Sequence, residues 1–213
     1  TQVLHCDKPG TGSVDAPRCF SMKLAKVTTS IGLVPSNVDP ELCYLHHNGE
    51  LVCMMTKHVD DLKITGPKER IESVLTEIEK VFGKMKISWH NFTNCGVRHS
   101  QDPKTKEIIL EQIEYIDGLK TIPCELYRGL SSNSTCDAKL HLAYQSLLGA
   151  VAFTAMTRVD ALVFIVALQR YNHSSQVIHV KRLNVVARWL KANPKKLCYR
   201  RFKEKGEHLK IIA

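Results

Sequence analysis

Apolar residues recur about one helical turn apart at Phe20, Leu24, Val27 and Ile31, with Gly32 next, which predicts a short helix closed by glycine. Pro35 and Pro40 then impose extended chain. Asn48-Gly49 lies between Cys43-Tyr44-Leu45-His46 and Leu51-Val52-Cys53-Met54-Met55, the pattern of a two-residue hairpin that pairs His47 with Glu50. Counting outward from that turn puts Leu45 opposite Val52 and Tyr44 opposite Cys53. Apolar residues then occupy both faces of the second strand, which is expected to be central and buried on both sides.

This strand continues into Lys57-His58-Val59-Asp60-Asp61 and returns through Leu62-Lys63-Ile64-Thr65-Gly66, so two acids fall at the bend of a second hairpin. Pro67 opens a helix with Ile71, Val74, Leu75, Ile78 and Phe82 on one face and Glu69, Glu72, Glu79 and Lys80 on the other, the pattern of a helix packed on a sheet. Short strands follow around Asn94-Cys95-Gly96-Val97, with Asp102-Pro103-Lys104 as a turn before Ile108-Ile109-Leu110. Beyond residue 130 a polar stretch, Ser131 to Asp137, reads as a linker, and three helices are predicted near 141–156, 160–172 and 176–192. The middle one, apolar almost all round from Ala161 to Leu168, is expected to form the core of this part. The first 18 residues are rich in Gly, Pro and Asp, and Pro9-Gly10-Thr11-Gly12 reads as a loop. The pattern as a whole predicts an α+β fold: a small antiparallel sheet with helices on one face over 1–130, then a helical subdomain over 131–213.

The composition fits a folded globular chain, with 44% hydrophobic and 24% charged residues among 213. Thirty Lys and Arg against 21 Asp and Glu give a net charge of +9, which favours a polyanionic partner. Eight cysteines are scattered without a Cys-x-x-Cys pair in a chain too large to need disulfide staples, so reduced thiols and an intracellular location are expected. No apolar run is long enough to span a membrane, and residues 1 to 9 carry no signal-peptide pattern. The first residue is Thr1, so a fragment of a longer protein is expected.

Asp60 and Asp61 are the sharpest candidates for chemistry, because carboxylates fixed on the bend of a buried hairpin could hold divalent ions. Adjacent acids are common at turns, so the pair alone does not specify such a site. Cys43, His46, His47 and Cys53 could suggest zinc, but the counted register puts the two cysteines on opposite faces. His173 and His179 are six apart, off the spacing of a ligand pair on a helix, and read as surface or capping residues. Gly10-Thr11-Gly12 lacks the Lys-Ser/Thr ending of a phosphate loop. Lys181, Arg182, Arg188, Lys191, Lys195, Lys196, Arg200 and Arg201 form a basic block interleaved with Trp189, Tyr199 and Phe202, suited to a nucleic-acid backbone and bases. Val185, Val186, Trp189 and Leu190 form one helical stripe, which favours a core position for Trp189.

The run His58-Val59-Asp60-Asp61-Leu62-Lys63-Ile64-Thr65-Gly66 resembles the Tyr-Val-Asp-Asp-(Leu/Ile)-x-Ile-x-Gly signature of copia-type retrotransposon reverse transcriptases. Further segments resemble that family in the same order: Ala16-Pro17-Arg18, Val38-Asp39-Pro40 with Cys43-Tyr44, Cys95-Gly96-Val97, Leu110-Glu111-Gln112 with Tyr115-Ile116, Tyr144 to Gly149, Thr157-Arg158-Val159-Asp160 and His179. The resemblance covers roughly residues 9 to 201. It implies a palm-like sheet followed by a thumb-like or connection-like helical region, and RNA-directed DNA polymerisation by a two-metal mechanism with Mg²⁺ or Mn²⁺. The implied partners are an RNA/DNA template-primer and deoxynucleoside triphosphates. Asp60 and Asp61 would be the catalytic metal ligands, and Gly96 part of the platform that grips the primer. His58, Lys63, Lys181, Arg182 and Arg188 would contact nucleic acid, and Arg18 the nucleotide. The family's further metal-binding Asp would belong to a strand before Thr1, and its ribonuclease H region would follow the last residue. His58 stands for the family's Tyr, Asp15 for Gln, Val159 for Pro and Val180 for Trp. Those departures also suit a second reading, a non-catalytic remnant with a basic nucleic-acid-binding face. A third is a protein-interaction module on the helical half.

Overall fold

The computed structural model describes residues 12–201. Pro9, Gly10, Thr11 and Phe202, singled out above, lie outside them, as does Cys6, one of the eight cysteines. The described residues form an α+β structure with two four-stranded antiparallel sheets and six α-helices. The chain divides into two compact units, Thr1–Ile87 and Ser88–Ala213.

The first unit opens with α1 (Ala16–Ser30), started by Pro17 in its first turn and followed by Gly32 at φ 88. The Gly32 N–H bonds Thr29 O and the Leu33 N–H bonds Thr28 O, turning the chain into β1 (Val34–Pro35). β2 (Leu42–His47), β3 (Glu50–His58) and β4 (Asp61–Thr65) complete a sheet in the order β1-β2-β3-β4. Asn48 and Gly49 take φ 52 and 79, as the tight turn requires, and His47 pairs with Glu50.

Beyond that pair the register departs from simple counting. A β-bulge lies between Leu45 and His46, so Leu45 pairs with Cys53 and Tyr44 with Met54, leaving Val52 as the extra residue. Cys43, which pairs with Met55, therefore shares a face with Cys53 instead of opposing it. Cys43, Cys53 and Met55 are all buried against Leu24, Leu33, Val74 and Ile78. β3 is central but buried on one face only: Val52 and Met54 on the other are half-buried and Thr56 is exposed.

α2 (Lys68–Phe82) covers the buried face through Ile71, Val74 and Ile78, as its periodicity predicts, and Phe82 meets Phe20 at 5.1 Å between ring centroids. Each such side chain, fully buried, contributes about 1.5–3 kcal/mol. Gly66 closes the second hairpin at φ 155, and a Cβ there would lie 2.7 Å from Val52 O, so no larger residue fits.

In the second unit β5 (Asn91–Asn94), β6 (Val97–Gln101), β7 (Ile108–Glu111) and β8 (Leu197–Tyr199) form a sheet in chain order. α3 (Ile113–Asp117), α4 (Ala138–Phe153), α5 (Leu162–Gln169) and α6 (Val177–Ala192) pack into one core, to which Ile116, Leu119 and Ile122 also belong. Buried Asn184 of α6 bonds both the N–H and the C=O of Ile122 at 2.8 Å, pinning that segment to the helix.

The polar stretch Ser131 to Asp137 is not a free linker. Ser132 and Ser134 carbonyls accept from the N–H groups of Ile178 and Val177, two donors left unpaired by the helix at the start of α6, and Asp137 caps α4 through the Leu140 N–H at 2.8 Å. That cap starts α4 before the predicted residue 141. α5 is only partly core: Ile165 and Leu168 are buried, while Leu162, Val163, Phe164 and Val166 are exposed. Two turns of helix resting on one neighbouring face cannot bury a fully apolar circumference. No helix among the described residues is long and apolar enough to cross a membrane.

Candidate functional site

The Asp60–Asp61 bend joins β3 to β4. His58 pairs with Asp61, leaving Val59 and Asp60 as a two-residue turn. Val59 occupies the left-handed region at φ 56, unusual for a β-branched residue, and is 64% exposed. Asp60 stands on the turn and Asp61 is the first residue of β4; both are exposed. Because side chains alternate along a strand, Asp61, Lys63 and Thr65 share the face of the sheet opposite α1 and α2 with His58, Thr56 and Met54, their cross-strand partners. Lys57 takes the opposite face, where it is buried and paired with Glu41 at 3.5 Å.

The structure thus brings His58, Asp60, Asp61 and Lys63 together at one end of one hairpin. Two carboxylates are hard oxygen donors, a set that fits Mg²⁺, which proteins commonly hold through one or two carboxylates completed by substrate phosphates and water. Among the described residues no group of three or more His, Cys, Asp or Glu side chains is placed to hold a metal ion. Arg18 is exposed in the first turn of α1, and no ion pair among the described residues joins it to either acid.

The remaining candidates lie in the second unit. Gly96 follows Cys95 in the β5–β6 turn, at φ 71 and 48 respectively, and a Cβ on Gly96 would stand 2.8 Å from Phe153 Cζ. The left-handed backbone and the contact with Phe153 together account for that glycine. Arg182 and Arg188 are exposed, whereas Lys181 donates to Ser132 Oγ at 3.1 Å. Three further residues of the basic block are paired with acids: Lys195 with Asp160 at 3.1 Å, Lys196 with Glu111 at 2.7 Å and Arg200 with Glu107 at 3.9 Å. The acids come from 35 to 93 residues earlier in the chain, so counting local charge could not reveal them. Trp189 packs half-buried against the core, as the helical stripe predicts, but Val185 of that stripe is exposed. Tyr199 is also exposed.

Sequence reasoning missed the part played by Arg158, which is fully buried. Its guanidinium donates through Nε to Asp160 Oδ1 at 3.0 Å and through Nη2 to Oδ2 at 3.1 Å, and its Nη1 donates to Leu190 O. It also lies 5.1 Å from the Trp189 ring centroid. Hydrogen bonds from Arg158, with Lys195 also contributing, pull the Asp160 carboxyl down to about 2. Beside it, Thr157 donates to Gln112 Oε1 at 2.9 Å, and Gln112 Nε2 bonds Phe153 O. The Thr157-Arg158-Val159-Asp160 segment is thus a structural clasp, and the only hint of it in the sequence was an Arg two residues before an Asp.

His179 is a buried capping residue. Its Nδ1 accepts from the Gln176 N–H at 3.0 Å, completing a capping box, while its ring stacks on Tyr171. Burial, with a smaller contribution from Arg182, lowers its pKa. His173 is exposed. The seven described cysteines are all free.

No family model, curated protein or solved structure matches the chain.

Proposed function

We propose that the chain is a segment of a copia-type RNA-directed DNA polymerase, in which Asp60 and Asp61 hold the divalent ions of nucleotidyl transfer to a primer. The observation that carries this reading is the hairpin: both acids stand exposed at the bend of a central strand whose other face is anchored by Cys53 and Met55. Mounting carboxylates on a strand fixed in this way limits their movement toward a bound substrate. Bound Mg²⁺ or Mn²⁺ would activate the primer hydroxyl and stabilise the leaving pyrophosphate. Asp60 and Asp61 would supply oxygen ligands, and His58 and Lys63, on the same face as Asp61, would meet the template-primer. Arg182 and Arg188 would add phosphate contacts, Gly96 a backbone contact to the primer, and Arg18 a contact to the deoxynucleoside triphosphate.

The test is primer extension on an RNA template, comparing the chain with its Asp60→Asn, Asp61→Asn double variant.

A second reading, a non-catalytic nucleic-acid-binding remnant, draws on the fact that no group of three or more His, Cys, Asp or Glu side chains among the described residues is placed to hold a metal ion. It gives hybrid-duplex binding that weakens steeply with salt, without extension.

A further inference from the structure

The hairpin bend carries a second donor pair that differs from the two carboxylates. His58 and Asp61 are direct cross-strand partners flanking the turn, so their side chains rise from the same face with Cβ atoms about 4.5–5.5 Å apart. Both are exposed, on the side of the sheet that α1 and α2 leave uncovered. No ion pair among the described residues engages Asp61. Its carboxylate therefore need not give up a described cation to take up a metal.

An imidazole nitrogen and a carboxylate oxygen with this spacing can both reach a single ion at the ~2.0–2.2 Å distances of zinc–nitrogen and zinc–oxygen bonds. The nitrogen decides which ion: Mg²⁺ favours an all-oxygen shell, whereas imidazole suits Zn²⁺, Ni²⁺ and their neighbours in the first transition row. Asp60 precedes Asp61 on the turn and is not part of the rung.

We infer that His58 and Asp61 form a binding site for a zinc-class divalent ion. Two protein ligands leave the rest of the shell to water, so the ion exchanges readily. An ion held there takes Asp61 away from Mg²⁺. The site needs only the hairpin register and stands whether or not the chain polymerises DNA.

The experiment is a calorimetric titration of the purified full chain with Zn²⁺, alongside proton NMR with Co²⁺ as a paramagnetic substitute. The expected result is a Zn²⁺ affinity weakened about tenfold or more by His58→Ala and by Asp61→Asn, the scale on which metal sites respond to lost support. Asp60→Asn should leave it within about twofold, and Co²⁺ should shift an imidazole proton that disappears in His58→Gln. His58→Gln keeps a polar side chain of similar reach, so a folding defect in His58→Ala would not obscure the outcome. Unchanged Zn²⁺ affinity in both His58 variants would overturn the inference. So would a dependence on Asp60 as strong as that on Asp61, because the ion would then belong to the two-carboxylate arrangement proposed for polymerisation.

Discussion

His58 and Asp61 face each other across a turn whose first residue, Val59, is held at φ 56. A left-handed conformation costs an ordinary L-residue about 1–2 kcal/mol, and asparagine tolerates it far better than a β-branched residue. Val59 is largely exposed, so little packing offsets the cost. Val59→Asn should stabilise the protein by about 1 kcal/mol, read as a higher urea midpoint. An unchanged or lower midpoint would show that the turn is not strained as described.

Gly96 offers the opposite case. Any side chain there must adopt φ 71 and meet Phe153 at 2.8 Å. Gly96→Ala should destabilise the protein by about 2 kcal/mol, combining left-handed strain with the clash. Adding Phe153→Leu should recover the steric part. If the double variant is no more stable than Gly96→Ala, Phe153 is not the obstacle.

The Arg158–Asp160 clasp ties the segment before α5 to the end of α6 through Leu190 O. Arg158→Leu should cost about 3 kcal/mol at neutral pH, the lower end of what breaking a buried pair costs, because Asp160 keeps Lys195. Asp160 has a depressed folded pKa of about 2. Its contribution is therefore present above the unfolded value near 4 and is lost as pH falls from about 4 through 2. Urea unfolding at pH 7 and at pH 3 should show that acid-sensitive part in the wild type and much less of it in Asp160→Asn.

His179 acts at milder pH. Its folded pKa lies below the ordinary value near 6.5, so the unfolded chain takes up the proton first and stability falls as pH drops below about 6.5. Protonation also removes the Nδ1 lone pair that accepts from Gln176. His179→Gln keeps an uncharged acceptor at the same helix position. Thermal unfolding between pH 7 and 5 should therefore vary less in His179→Gln than in the wild type; equal pH dependence would remove His179 from the account.

Local signals foretold local structure well. Asn48-Gly49 specified the first hairpin and Pro67 the start of α2, and the spacing of Ile71, Val74 and Ile78 named the buried face. The bend at Asp60 and Asp61 was readable for the same reason, since turn chemistry and alternation act over a few residues. What was missed depends on distant partners. The bulge at Val52 moved Cys43 and Cys53 onto one face, a one-residue insertion that periodicity cannot report. The exposed side of α5 reflects how few neighbours reach it, and Glu107, Glu111 and Asp160 neutralise basic residues far along the chain. The burial of Arg158 was not legible because nothing local shows that it bonds Leu190 O and packs on Trp189.

Primer extension tests the central claim most directly. The folded chain is given an RNA template and a DNA primer in Mg²⁺ and then Mn²⁺, beside the Asp60→Asn, Asp61→Asn double variant. The account predicts extension by the chain and none by the variant. Extension that survives in the variant would contradict the role given to the two acids, and no extension by a folded chain that binds the hybrid duplex would contradict the polymerase reading in favour of a non-catalytic remnant.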